Sequence, residues 1–241
     1  LHRLIRRQRQ MCIRDSYRPV EVKSIQGNLE IKNRRGSIRL EDITGKTKAA
    51  TDYETITANG IDGDADLRNH FGTIRAEDIK GTLQIEGPGS RIDIRRVTKP
   101  VTIKNSHKAV SVKELEGQLS LETSYSKVTL ERIRGRVVLQ AGNSDISATE
   151  LHGGFKLDGL GSSVSLNRIE GPIVVTTTLR LVRINRLSGP AEVRNEYGKI
   201  LLESDSTLKE PVSIVNAYGE IDLVLSASAG AQISAKASPG T

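Results

Sequence analysis

Tryptophan is absent from this 241-residue chain, and there are only two phenylalanines and five tyrosines. A core anchored on large rings is thereby excluded, so the buried surface has to come from Ile, Leu and Val. Those side chains favour pleated, half-buried strands. Cysteine occurs once, as Cys12, which excludes an internal disulfide and any metal site built on several thiolates. No apolar run approaches the roughly 20 residues of a membrane-spanning helix. Glycine, by contrast, is plentiful at 22 residues, and short strands separated by Gly turns follow from that balance.

The net charge of +7 is unevenly placed. Residues 1–16 hold five Arg and one Asp, a net of +4, which leaves only +3 on the other 225 residues. The same segment carries Met11, the only methionine. Its run MCIRD, residues 11–15, resembles what one frame of a common transposon sequencing adapter encodes in assembled metagenomic sequence. Residues 1–16 are therefore expected to lie outside the folded repeat as a non-native basic segment. The alternative is a basic arm for nucleic acid or anionic lipid. No nucleic-acid partner is expected, because the excess charge sits mainly in this segment.

An 18-residue repeat runs through the remainder. With Ile25 as coil position 1, steps of 18 reach Ile43, Ile61, Ile79, Val97, Leu115, Ile133, Leu151, Ile169 and Leu187, all apolar. Position 3 is Gly in every one of these coils except at Lys99. A three-residue insertion near 203–207 shifts the frame, and Leu208 resumes it. Positions 5 and 7 are mostly apolar, as in Leu29 with Ile31 or Leu119 with Leu121. Positions 14 and 16 behave alike, as in Ile38 with Leu40. A spacing of two marks strands with these side chains on one face. Gly at position 3 and Asn, Thr, Gly or Ala at position 9 are expected to open the bends with tight or left-handed backbone.

No single coil can bury its own inward face, so coils must stack. The expected fold is all-β, a single-stranded parallel β-solenoid of about eleven coils over residues 17–241, right-handed by the rule for parallel crossovers. Five inward residues per coil, at about 1.5–3 kcal/mol each, supply the main stabilisation. The hexapeptide left-handed helix does not fit, because position 13 is polar almost throughout. The frame starts near Tyr17, and AQISAKASPGT at the other end reads as a strand and turn cut off mid-coil. Truncation at both ends is the expectation.

Two columns stand out as candidate surfaces. Position 18 carries Asp78, Arg96, Glu114, Arg132, Glu150 and Arg168, alternating in sign from coil to coil. This ladder reads either as a charged strip for a partner or as structural, self-neutralising pairs. Position 11 collects every Tyr of the chain, giving a broken stripe of Tyr17, Arg35, Tyr53, Phe71, His107, Tyr125, Tyr197 and Tyr218. Arg35 falls between two Tyr, where cation–π contact is available. The stripe either covers a corner of the core or stacks on sugar rings or a peptide.

Residues that would carry catalysis are not grouped. His70, His107 and His152 fall on positions 10, 11 and 2 of separate coils, so no metal triad follows. No cofactor is expected either. GPGS at 87–90 and GLGS at 159–162 are turn sequences, since no helix follows them to hold a phosphate. Nine successive coils without insertion leave no long unequal loops for a catalytic cleft.

The elements IQGNLEIKN and GSIRLEDI, with NEYGKILLES and NAYGEIDLVLS near the end, resemble the bacterial putative-adhesin β-strand repeat domain, also called the toast-rack domain. The resemblance covers roughly Tyr17 to the C-terminus. It implies a bacterial protein of the cell envelope, exported or membrane-anchored, and supplies no catalytic residues. The expectation is a non-catalytic rod for adhesion or scaffolding, with an envelope protein or polysaccharide as partner. The alternatives are a self-polymerising scaffold resembling bactofilins, associating end to end, and a polysaccharide-active β-helix enzyme.

Overall fold

Each coil places inward residues at positions 5 and 7 and again at 14, 16 and 1, which makes two short strands per turn of chain. In the computed structural model, residues 10–15, 17–204 and 210–226 are described. Their twenty-four strands form two twelve-stranded parallel sheets. Positions 4–9 build the first sheet and positions 14–1 the second, so alternate strands of the chain belong to alternate sheets. The result is a β-solenoid of twelve coils.

The repeat length is read directly in the pairing. Val101 lies opposite Leu83 and Leu119, and Ile92 opposite Ile74 and Val110, each 18 residues away. The offset becomes 21 where Ala191 meets Val212 and Ile200 meets Ile221. Three extra residues therefore lie between, although Leu208 itself falls outside the described residues. So does the closing segment AQISAKASPGT.

One coil more is present than the repeat frame gave. Gln10–Asp15 pairs in parallel with Asn28–Asn33, so the sheet extends into the segment expected to lie outside it. The register explains why. Met11 and Ile13 fall on positions 5 and 7, and both are partly buried against the core.

The inward columns form one continuous apolar core from Val22 to Leu202. Phe155 on position 5 is its only aromatic ring. Where position 5 is small, as at Thr47 and Ala65, the residue is still buried. Position 3 is where neighbouring coils approach most closely. A Cβ on Gly135 would lie 2.1 Å from the Gly117 carbonyl oxygen, closer than any side chain allows.

The bends depart from the expectation in one respect. Position 9 is not left-handed: Asn33, Asn69 and Asn195 are extended, inward and buried. Their side-chain amides reach back to the turn of the preceding coil, Asn33 donating to the Arg18 carbonyl at 2.7 Å and Asn195 to the Arg180 carbonyl at 3.1 Å. A buried amide satisfying a turn carbonyl replaces the water that the bend loses. Positive φ occurs instead at position 18, at position 11 from Gly89 onward, and at the position-3 glycines Gly27, Gly45 and Gly63.

Position 18 is left-handed in ten successive coils from Ser24 to Arg186, with φ between 53° and 69° and Gly only at Gly60. Geometry requires this. Positions 16 and 1 both point inward but are three residues apart, so one residue must be taken out of the alternation. That residue is skipped in the pairing, as a bulge residue is: Arg95 pairs Lys113 and Val97 pairs Leu115, with Arg96 left between them.

Candidate functional site

The position-18 kink turns its side chain away from the sheet, and the charged column stands along that edge. Arg96 donates to both carboxylate oxygens of Asp78, at 2.6 and 2.9 Å, and also bonds Glu77. Arg132 donates to Glu114 at 2.9 Å and contacts Glu131, and Arg168 donates to Glu150 at 2.9 Å. The ladder thus resolves into three pairs, each an acid followed by an Arg one coil later. Glu114 is also met by Arg95 from the preceding coil at 3.5 Å.

Hydrogen bonding from Arg96 holds the Asp78 carboxyl below the usual carboxylate range. Arg132, with Arg95 adding, does the same for Glu114. Because Asp78 and the arginines are exposed and Glu114 is only partly covered, solvent screens the pairs and their net contribution to stability is small.

A second charged column, which the sequence reading passed over, lies beside it on position 2. Lys80 meets Asp62 at 3.1 Å, Arg134 meets Glu116 at 3.5 Å, and the His152 ring meets Glu170. The same 18-residue arithmetic would have revealed it. A shallow groove of about 490 Å³ lies between the columns, lined by Ile79, Val97 and Leu115 as well as the charged residues. From Asp62 to Glu170 the charges of these two columns are matched by opposite ones within reach, so this stretch of the edge presents little net field.

The other edge, where the first sheet passes into the second, differs. Position 11 sits at the tip of the bend and its side chains project outward. Tyr53 is 52% exposed, Phe71 66% and Tyr218 73%. They do not cover the core, which is already closed beneath them by the buried position-9 side chains.

The rings stack on one another instead. Tyr53 and Phe71 lie 5.8 Å apart between centroids, His107 and Tyr125 5.5 Å, and Tyr197 and Tyr218 5.0 Å, each pair within 17° of parallel. Arg35 is inserted between Tyr17 and Tyr53, its guanidinium carbon 5.7 and 5.8 Å from the two ring centres. These are cation–π distances. The stripe is therefore three stacked runs, broken at Gly89 and again at Asn143 and Gly161, with the exposed Leu179 leading into the last.

The backbone fixes these side chains. His107, Tyr125 and Tyr197 are left-handed, with φ of 65°, 53° and 62°. Each donates its amide to the position-10 carbonyl of the next coil: Ser124 at 2.9 Å, Gly142 at 2.9 Å and Ala217 at 2.8 Å. Inter-coil hydrogen bonding thus continues through the bend and sets the rung spacing before any ligand arrives.

Among the described residues, no three His, Cys, Asp or Glu side chains are grouped to hold a metal ion. His70 is engaged with Asp52 at 2.9 Å, one coil away. No helix of the described chain is long and apolar enough to cross a membrane. Compared with models of known families, with curated protein sequences and with solved structures, the chain matches none.

Proposed function

We propose that this protein is a non-catalytic binding rod of the bacterial cell envelope, with the position-11 edge as its recognition surface. The observation that carries the reading is the exposed, pre-stacked aromatic edge. Ring faces and edges held in water on a rigid backbone are unfavourable unless something covers them, and prior ordering reduces the entropy lost on binding. Polysaccharide is the favoured partner class, since its C–H faces suit aromatic rings and its hydroxyls suit the polar flanks of the bend.

Uniform coils support the non-catalytic part. The pairing offset stays at 18 from the first coil to Ile200, so no loop grows into a cleft. The acids of the charged edge are matched to bases, not set apart in apolar surroundings as a raised-pKa acid would be. Placement at the envelope rests on the resemblance to the toast-rack repeat domain.

The test is co-sedimentation of the protein with peptidoglycan and a panel of insoluble polysaccharides, with the supernatants assayed for released reducing ends. Retention without release is expected, and a Tyr53/Tyr125/Tyr197 triple-Ala variant should stay in solution. Release of sugar overturns the non-catalytic reading. Absence of retention on every polymer overturns the polysaccharide reading.

A further inference from the structure

A ring stacked on both neighbours has no free face to offer, which limits where on the edge a ligand can stack. Tyr53 has Arg35 on one side and Phe71 on the other, both at 5.8 Å. Free faces occur only where a run ends. Two of them face each other across a single missing rung: Phe71 before Gly89 and His107 after it.

Gly89 makes this gap a slot. It is left-handed, with φ of 73°, and a Cβ there would sit 3.1 Å from the Phe71 ring. Without that Cβ the Phe71 ring leans toward the Gly89 backbone, and its face toward His107 carries no stacked side chain. The Gly89 amide is tied to the Ser106 carbonyl at 3.0 Å, which keeps this backbone in register with the coil beyond. Each wall is backed by a second ring, Phe71 by Tyr53 and His107 by Tyr125.

We infer that the Phe71–Gly89–His107 slot is a binding subsite for one pyranose ring of a polysaccharide, held between the two aromatic faces. This deepens the reading of the edge as a polysaccharide surface and rests on it. Two coil spacings, about 9.6 Å, separate the two wall residues along the stack, and the lean of Phe71 takes up part of that depth. Carbon contacts are best at about 3.5–4.0 Å. A puckered saturated ring presents C–H bonds to both walls. Those C–H bonds point at the negative faces of the two rings.

The rim supplies partners for hydroxyls. The His70–Asp52 pair lies on one side of the bend, and the exposed Lys108 and the Arg91–Asp93 pair lie on the other. The second break does not make such a slot. There three coils separate Tyr125 from Leu179, the far wall is aliphatic, and the Asn143 side chain occupies the space over Gly161.

Isothermal titration with cellohexaose and chitohexaose tests this on the intact chain. Wild-type binding of either should weaken at least tenfold in Phe71→Leu, in His107→Ala and in Gly89→Asn. The Asn variant keeps a residue that tolerates left-handed backbone but fills the slot. Should Gly89→Asn fail to fold, as judged by its urea midpoint, the two exposed wall variants decide the matter. If they bind like wild type while the Tyr53/Tyr125/Tyr197 variant loses affinity, the slot is wrong and the aromatic edge stands. If wild type binds neither hexaose, or prefers a tryptophan-containing peptide, the slot and the polysaccharide reading both fall.

Discussion

The two edges of the coil solve the same backbone problem and end with opposite surfaces. Both turn the chain through left-handed residues, at position 18 on one edge and, from Gly89 onward, at position 11 on the other. On the first edge the projecting groups are Asp, Glu and Arg, and they satisfy one another across coils. On the second they are rings, which stack but leave every Tyr and Phe of the column more than half exposed. Side chains that complement their own repeat close a surface, and those that only line up with it leave a surface open. Stacking alone therefore does not say which edge is for a partner; the residual exposure does.

The largest effect that would erase this comparison comes from the close approach that both edges depend on. Gly135→Val would drive a side chain into the Gly117 carbonyl 2.1 Å away. Urea unfolding should show a loss of about 3 kcal/mol or more, or no folded protein. Next in size is the buried amide that holds the ring-bearing bend. Asn195→Leu keeps the volume and removes the bond to Arg180, stranding that carbonyl, at a cost of about 2 kcal/mol by the same measurement.

The charged edge should respond less. Arg132→Val places a β-branched residue in left-handed backbone and should cost about 1–2 kcal/mol. Arg132→Gly loses the exposed pair but relieves the backbone, and should stay within about 0.5 kcal/mol of wild type. If the two are equal, the kink carries no strain and the comparison of backbones fails.

Acid sharpens the contrast further. Asp78 and Glu114 have lowered folded-state pKa values, so their contribution is fully present above the unfolded values near about pH 4. It is lost as pH falls through the lower folded values. An Arg96→Met/Arg132→Met double variant should show a shallower decline of urea midpoint between about pH 5 and pH 2. Replacing rings on the other edge should leave that decline unchanged. Smallest of all, Tyr218→Ala should alter stability by no more than about 0.5 kcal/mol, since the ring is 73% exposed.

Much of this was legible in the sequence because parallel stacking converts a period into a column. Stepping by 18 brings Asp78 beside Arg96 and Tyr53 beside Phe71 without any structure. The inward positions, the Gly at position 3 and the three-residue shift before Val212 follow from the same arithmetic. What arithmetic does not give is backbone sign. The odd interval from position 16 to position 1 demanded a kink, yet Arg, Glu and Asp do not advertise left-handed backbone as Gly does. The first coil was missed for a related reason. Arg7 and Arg9 fit positions 1 and 3 badly, and they outweighed Met11 and Ile13, which fit positions 5 and 7. Which faces of the stacked rings remain free is a matter of rung order, and Gly89 matters there by contributing nothing.

The charged column also gives the rod a period that its backbone lacks. Pairing repeats every 18 residues, but from Asp78 to Arg168 acid and base alternate, so that column repeats only every 36. Excising one coil around Glu114 would leave every strand pairing available and yet set Arg96 against Arg132. Excising two would restore an acid, Glu150, beside Arg96. Such a molecule can change length by gene rearrangement in steps of two coils, about 9.6 Å, more readily than in steps of one: it is a ruler graduated in even numbers.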